Sequence, residues 1–228
     1  MPITLITRAT THVSRHAIVD GGGTFTYDNL LQSSAAVATG LLRGAGDLDE
    51  ARVAFLVPPG FHYVATQWGI WRAGGIAVPL AISHPASELA YVLHDADPAI
   101  VVAHPDLEAR LREVAGPRGI PVALTPGLLG TASSVLPDID ESRRAMMLYT
   151  SGTTGKPKGV VTTHANIRAQ VTSLVDAWEW TPADRILLVL PLHHVHGIIN
   201  VLTCALWTGA CCDMLPRFDA KETWSHLV

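Results

Sequence analysis

Charged side chains are scarce in this sequence, and their scarcity excludes several classes of protein. Asp, Glu, Lys and Arg make up only 16% of the 228 residues, and the formal net charge is −4. Because the chain has no basic excess, it lacks an electrostatic basis for binding nucleic acid or an anionic membrane. Lysine occurs three times, as Lys156, Lys158 and Lys221. Two of these amines stand close together, which makes their segment a candidate for binding an anion.

Cysteines and long apolar runs are equally limited. The three cysteines lie in the last part of the chain, at Cys204, Cys211 and Cys212. An odd number in an apolar segment predicts reduced, buried thiols rather than a disulfide framework, and no C-x-x-C pair suggests a metal site. The longest apolar stretch, 197–215, is interrupted by Asn200, Gly209 and Asp213. It therefore predicts a buried helix, a glycine turn and a buried strand, not a membrane span.

The first part of the chain alternates apolar runs with helical patterns. Strands are predicted at 17–20, 24–26, 53–57, 76–80 and 99–103, and helices at 27–42, 61–72 and 85–96. The run 53–57 is apolar throughout, as in a parallel strand that is buried on both faces. This βαβα alternation predicts an α/β fold with mostly parallel β-sheets flanked by helices.

The rest of the chain continues the pattern after a polar connection. Residues 125–144 are rich in Gly, Ser, Pro and charge, which predicts a surface connection. It is followed by a strand at 145–149, a helix at 164–178 with Thr163 as its N-cap, and a strand at 185–190. We therefore expect one partial domain in three sections: a first subdomain at 1–124, the connection at 125–144, and a candidate functional segment at 145–228.

The segment 149–159, with the sequence YTSGTTGKPKG, carries the strongest functional signal, and we call it the phosphate stretch. Glycines allow backbone N–H groups to converge on one point. Hydroxyl and ammonium groups add donors and positive charge, a combination that suits a polyphosphate. The residues predicted to bind phosphate are Thr150, Ser151, Gly152, Thr153, Thr154, Gly155, Lys156, Lys158 and Gly159.

Two other interpretations compete for the phosphate stretch. A flexible Gly/Thr surface loop has a similar composition, but this stretch is short, lies between two apolar runs and is stiffened by Pro157. The common nucleotide-binding loop G-x-x-x-x-G-K-[ST] does not match. Gly152 and Gly155 are only three residues apart, and Pro157 stands where Ser or Thr should coordinate magnesium. The stretch therefore predicts a phosphate loop of another kind.

A second candidate site, the histidine corner, covers residues 190–197 and contains His193, His194 and His196. It follows a predicted strand, and α/β sheets bind ligands beyond the carboxyl ends of their strands. A metal cluster is one interpretation, but no nearby carboxylate or cysteine completes a ligand set. Structural histidines with backbone partners are another. We favour contact with an anionic carboxylate substrate, because an imidazole can donate a hydrogen bond and can become charged near neutral pH.

Both sites resemble motifs of one enzyme family. The phosphate stretch is similar, over all eleven positions, to the phosphate loop of the AMP-forming adenylate-forming enzymes, which include acyl-CoA synthetases, luciferases and adenylation domains. The pattern P-x-x-H-x-x-G at 191–197 resembles the acyl-binding motif of acyl-CoA synthetases. The additional His196, which gives H-x-H-G, resembles the malonyl-CoA synthetase branch in particular.

The resemblance implies a reaction and a role for each motif. A carboxylic acid would be adenylated with ATP and Mg²⁺, and coenzyme A would then take the acyl group. Thr153, Thr154 and Lys158 would orient the β- and γ-phosphates, with Thr154 as a contact for Mg²⁺. His194 and Lys158 become the candidate catalytic residues. The acyl substrate would lie against His193, His194, His196 and Gly197, with His196 helping to hold a dicarboxylate such as malonate.

The resemblance covers the whole chain but only the first part of the family's pattern. Later motifs and the C-terminal domain of the family have no counterpart in the sequence. We therefore expect an N-terminal fragment or a split subunit that is inactive alone and needs the remaining part of the enzyme in cis or in trans.

Three functions remain open at this point. The favoured one is part of an acid–CoA ligase for malonate or a similar small acid. The others are an adenylation domain that loads a carrier protein and a non-catalytic nucleotide-binding remnant. The first residues carry Arg8 and Arg15 with no acid before Asp20, faintly like a transit peptide. Because they also match the start of a folded domain, we expect a cytoplasmic location.

Overall fold

The computed structural model describes residues 3–150 and 156–227. The strands are β1 (His16–Asp20), β2 (Gly23–Thr26), β3 (Arg52–Leu56), β4 (Ile76–Pro79), β5 (Ile100–Ala103), β6 (Val122–Leu124), β7 (Arg144–Thr150), β8 (Lys158–Thr163), β9 (Arg185–Leu188) and β10 (Cys211–Met214). The helices are α1 (Thr4–Ala9), α2 (Tyr27–Leu42), α3 (Phe61–Arg72), α4 (Ala86–Ala96), α5 (Glu108–Ala115), α6 (Thr125–Leu129), α7 (His164–Ala177), α8 (Cys204–Thr208) and α9 (Ala220–Leu227). A π-helical segment, His196–Thr203, leads directly into α8.

The strands of the described residues form two sheets that are mostly parallel. The larger sheet has the order β6-β5-β3-β4-β7-β8, and only its β7–β8 pair is antiparallel. The smaller sheet has the order β2-β1-β10-β9, with β1 and β2 antiparallel and the other neighbours parallel. The α/β fold predicted from the sequence is confirmed.

Capping and close packing explain where the main helices lie. Thr26 and Thr163 each accept a hydrogen bond from the backbone N–H three residues later and so open α2 and α7 with a capping box. Gly69 lets α3 pack closely against α2, since a Cβ atom at this position would lie 2.4 Å from Val37 Cγ1. The largest fully buried side chains include Trp68 and Trp71 of α3, which place this helix in the centre of the core.

Several elements were not predicted from the sequence. Helix α1 is short, and its Arg8 Nε donates a 2.8 Å hydrogen bond to the distant carbonyl of Trp207, so tertiary contacts rather than periodicity support it. Helix α5 and strand β6 also escaped prediction. The connection at 125–144 contains α6 and buries Leu128 and Ile139. Trp178, the last residue of the helix predicted at 164–178, lies just beyond α7 and is 50% exposed.

Each sheet combines strands from the proposed sections 1–124 and 145–228. Strand β1 pairs with β10, so residues near 18 and near 212 belong to one sheet. The proposed sections at 1–124, 125–144 and 145–228 are therefore segments of sequence rather than separate sheets, and their boundaries stay a prediction. Within the described residues all three cysteines are free thiols, as predicted. None of the helices described here has both the length and the apolar surface needed to cross a bilayer.

Candidate active site

The described residues of the phosphate stretch, 149–150 and 156–159, lie at one end of the antiparallel β7–β8 pair, which we call the hairpin. Thr150 pairs with Lys158, and Tyr149 pairs with Gly159, across the open end of the antiparallel ladder. A Cβ atom on Gly159 would lie 2.0 Å from Met147 Cε, so a larger residue there would displace the flexible Met147 side chain. Lys156 and Lys158 are both exposed. The predicted phosphate-binding residues Ser151, Gly152, Thr153, Thr154 and Gly155 lie outside the described residues.

The histidine corner is a tight turn between β9 and the π-helical segment. The N–H of His194 donates to the carbonyl of Pro191 at 3.4 Å, and the N–H of Ile198 donates to the carbonyl of His194 at 3.1 Å. A Cβ atom on Gly197 would lie 2.5 Å from the Pro191 carbonyl oxygen. Glycine therefore lets the helix start directly against the turn that carries His193 and His194.

The two predicted sites meet at one cavity of about 360 Å³. Tyr149, Thr150 and Pro157 line it from the hairpin side. His193 and His194 of the histidine corner line the same cavity. The remaining wall comes from the end of β4 and from helix α4: Pro79, Leu80, Ala81, His84, Ser87, Glu88, Leu89, Tyr91 and Val92. The fold thus brings together two motifs that the sequence only suggested should cooperate.

His193 lies at the junction of this cavity with a larger one. The second cavity measures about 640 Å³ and is mostly apolar, with Val57, Tyr63 and Ile82 among its lining residues. Leu80 and His193 line both cavities. A ligand bound between the hairpin and the histidine corner would therefore have an apolar space beside it.

The environment of His193 keeps its imidazole neutral. Burial, together with the neighbouring His194 and His84, lowers the pKa of His193 to about 4. Its ring centroid lies 4.1 Å from that of His194 and 5.4 Å from that of His84. The expectation that the imidazoles of this corner become charged near neutral pH is thus wrong for His193, which can serve as a hydrogen-bonding group but not as a cation.

His196 lies apart from the other two histidines of the corner. Its ring is exposed, and its Nδ1 lies 3.4 Å from Asn200 Nδ2. Asn200 in turn accepts a 2.7 Å hydrogen bond from Gln170 of α7. Among the residues that line the 360 Å³ cavity, His193 and His194 are present and His196 is not. The role of His196 in holding a dicarboxylate stays a prediction.

Sequence reasoning missed His84 and Glu88 in the cavity wall. His84 Nδ1 lies 3.3 Å from Glu88 Oε2, and the two residues are four positions apart. That spacing is a signal for a pair at the start of a helix. It could not reveal that the His84 ring also meets His193, because this contact depends on how α4 packs beside the histidine corner.

A metal site can be tested only in part. In residues 3–150 and 156–227, no group of three or more His, Cys, Asp or Glu side chains is placed to hold a metal ion. Thr154, the predicted contact for Mg²⁺, lies outside those residues. The exposed amines of Lys156 and Lys158 and the hydroxyl of Thr150 fit an anionic ligand that would bring its own magnesium ion.

Comparison with known proteins identifies the family to which the chain is similar. The sequence profile of the family described as "AMP-binding enzyme" matches residues 5–228. The mitochondrial malonate–CoA ligase ACSF3 of Xenopus laevis is 44% identical over 239 residues, covering 99% of this chain and 41% of the relative. The human ACSF3 protein is 43% identical, with 98% and 41% covered. The chain thus spans about two fifths of the length of these relatives, 41% in both cases.

A solved structure gives the same result for the fold. The ATP-bound structure of MatB from Rhodopseudomonas palustris superposes with a TM-score of 0.87 at 28% sequence identity. The match covers 99% of this chain and 47% of that protein. The α/β arrangement with mostly parallel sheets is therefore shared with an ATP-binding relative.

Proposed function

The chain belongs to the family of AMP-binding enzymes, and from this we propose that it forms the N-terminal part of an ATP-dependent acid–CoA ligase for malonate or a similar small acid. In the first half-reaction, a carboxylate oxygen would attack the α-phosphorus of ATP. The bond between this oxygen and the α-phosphorus forms as the bond between the α-phosphorus and the pyrophosphate oxygen breaks, which gives the acyl-adenylate and free pyrophosphate. In the second, the thiol of coenzyme A would lose its proton and attack the acyl carbon, and AMP would leave.

The observation that carries the proposal is the cavity shared by the hairpin and the histidine corner. Adenylation has to bring two anions together, a carboxylate and a triphosphate, which repel each other. Thr150 and Pro157 line the cavity beside the exposed amines of Lys156 and Lys158. Positive charge and hydroxyl donors at this end would neutralise the phosphates and stabilise the charge that develops on pyrophosphate.

The part of the cavity that the histidine corner lines suits the carboxylate. His194 and the neutral His193 border it. A neutral imidazole can donate one N–H hydrogen bond to a carboxylate oxygen without a change in its own protonation state. His194 would hold the carboxylate near the α-phosphate, and Lys158 would hold the phosphates. Magnesium, when bound, supplies charge neutralisation on the phosphate oxygens, with Thr154 as its predicted protein contact.

The choice of malonate rests on similarity and on one residue. Several relatives are named malonate–CoA ligases, including one from Arabidopsis thaliana at 34% identity. His196 supplies a further imidazole next to the corner. A complete enzyme would also need the portion that the longer relatives possess, supplied in cis or in trans. The vertebrate relatives are described as mitochondrial, and a cytoplasmic location for this protein stays a prediction.

ATP–pyrophosphate exchange tests the proposal directly. We expect malonate-dependent exchange, and then malonyl-CoA formation, when the chain is completed by the missing portion of the enzyme, and no turnover by the 228 residues alone. Acetate serves as the alternative acid substrate, and a carrier protein serves as the alternative acceptor of the acyl group. Acyl transfer to a carrier protein but not to coenzyme A would show that the protein is a carrier-loading adenylation domain and not an acid–CoA ligase. Absence of exchange with any acid in the completed protein would refute adenylation.

A further inference from the structure

The phosphate stretch has two described limbs, a first limb at 149–150 and a second limb at 156–159. Helix α4 contacts the second limb. The hydroxyl of Tyr91 donates a hydrogen bond of 2.8 Å to the backbone carbonyl of Pro157. Pro157 directly precedes Lys158, the first residue of β8. The bond therefore holds the backbone at the point where the stretch re-enters the sheet.

The same helix also contacts the first limb, 149–150. The hydroxyl of Tyr149 donates a 2.7 Å hydrogen bond to Asp95 Oδ2. Burial raises the pKa of Tyr149, and the hydrogen bond to Asp95 raises it further, so the phenol stays protonated and available as a donor. Tyr149 directly precedes Thr150, the last residue of β7.

The two contacts come from one face of a firmly packed helix. Tyr91 and Asp95 are four residues apart on α4 and therefore lie one above the other. The opposite face of α4 is buried in the core through Leu89, Val92, Leu93 and Ala96. A helix anchored in this way offers two fixed points, one for each limb of the hairpin.

The β-ladder alone is a weak support for this hairpin. Strand β8 lies at the edge of the larger sheet, with β7 as its neighbour in the described part of the chain. Its Val160 and Val161 are 48% and 43% exposed. Edge pairs that lack packing on both faces are only marginally held, so the side-chain contacts from α4 matter for the position of Thr150 and Lys158.

We propose that Tyr91 and Asp95 are positioning residues for the phosphate site, a role that rests on the proposed function. They hold the limbs 149–150 and 156–159 on α4, so that Thr150 and Lys158 stay opposite each other beside the cavity. Neither residue has to touch the nucleotide. The helix that lines the substrate cavity also sets the geometry of the phosphate donors.

Removing one hydroxyl at a time tests this role. Tyr91→Phe and Tyr149→Phe each delete one contact without changing the size of the ring. Tyr27→Phe is the matched control, because the Tyr27 hydroxyl donates a 2.7 Å hydrogen bond to the carbonyl of Ala210, away from the hairpin. Asp95→Ala removes the acceptor of the Tyr149 hydroxyl. Asp95→Asn retains an acceptor oxygen and should behave nearly like the wild-type protein.

Two measurements separate positioning from general stability. In the 228-residue chain, amide hydrogen exchange at 145–150 and 156–163 should become about fivefold faster in Tyr91→Phe and Tyr149→Phe. A change of this size corresponds to the loss of one hydrogen bond. In the completed enzyme, KM for ATP should rise about fivefold, with a smaller change in KM for the acid. Tyr27→Phe should change neither, even if it lowers the melting temperature. Unchanged exchange in both hairpin variants would overturn the proposal.

The outcome also distinguishes the positioning role from the proposed function. If Lys158→Ala abolishes exchange of pyrophosphate while Tyr91→Phe and Tyr149→Phe leave KM for ATP unaltered, the function stands and the positioning role is refuted. If no acid supports pyrophosphate exchange, the proposed function fails. The hydrogen-exchange comparison, which needs no nucleotide, then decides on its own whether α4 holds the hairpin.

Discussion

The hydroxyl of Tyr63 donates a 2.8 Å hydrogen bond to the backbone carbonyl of Leu192. Tyr63 belongs to α3, and Leu192 directly precedes His193, so the bond links the central helix of the core to the histidine corner. Both residues are buried, and burial raises the pKa of Tyr63 well above its ordinary value. The phenol therefore remains a donor at every physiological pH.

Tyr63→Phe should loosen the histidine corner. The Leu192 carbonyl would stay buried without its donor, which costs about 1–3 kcal/mol of unfolding free energy. We expect a higher KM for the acid in the completed enzyme, with a smaller change for ATP. Urea unfolding and steady-state kinetics measure the two effects. A loss of stability with both KM values unchanged would show that the bond supports only the core.

Lys158→Ala should slow adenylation by about a hundredfold, because one charged donor is lost where negative charge develops on the leaving pyrophosphate. The measurement is ATP–pyrophosphate exchange in the completed enzyme at saturating acid. Lys221→Ala is the matched control, since Lys221 is the one lysine outside the phosphate stretch and is exposed on α9. Equal rates in the two variants would remove Lys158 from the site.

His194→Ala and His196→Ala should differ in their effects. His194 lines the cavity, so its loss should lower kcat/KM for every acid by about tenfold or more, as for a lost hydrogen bond to a charged group. His196 is exposed beside Asn200, and its loss should weaken malonate more than acetate. Parallel kinetics with both acids decide this. Equal losses for malonate and acetate in His196→Ala would end the case for a dicarboxylate contact.

His164 should make the fold less stable in mild acid. Burial lowers its pKa to about 4, with Glu141 acting against that shift and Arg143 acting with it. The unfolded chain takes up a proton near pH 6.5 and the folded chain only near pH 4, so stability present above 6.5 is lost as the pH falls between these values. The loss should approach about 3 kcal/mol by pH 4.

His164→Phe keeps a ring against Trp71, which lies 5.6 Å away edge to face, and removes the titration. Urea midpoints between pH 4.5 and pH 7.5 should therefore depend less on pH in the variant, by about the amount lost at His164. His193 contributes a drop of the same sign in both proteins. Identical slopes would mean that His164 is not the group responsible.

Gly197→Ala should disturb the turn that presents the histidines. The added Cβ would lie 2.5 Å from the Pro191 carbonyl oxygen, a backbone atom that cannot rotate away. We expect a loss of about 1–3 kcal/mol in unfolding free energy. Gly127→Ala is the control, because nothing lies within 4 Å of the Cβ it would add in α6. A Gly197→Ala protein as stable as the control would contradict this steric argument.

Local sequence was enough to predict most of the secondary structure and both candidate motifs. Helices α2 and α3 begin and end at the predicted residues, because caps and apolar periodicity are encoded within a few positions. Helix α1 and strand β6 were missed, since distant partners such as Trp207 support them. The phosphate stretch and the histidine corner were found because each is a continuous run of residues.

The sequence alone determined the α/β class, the family resemblance and the identity of the two motifs, since these depend on short-range pattern. Only the tertiary structure decided that His193 and His194 share a cavity with Thr150, that His196 is not among its lining residues, and that Tyr91 and Asp95 of α4 form hydrogen bonds with both limbs of the hairpin. Packing between residues distant in sequence sets such contacts. Burial, which the sequence does not show, likewise made His193 neutral.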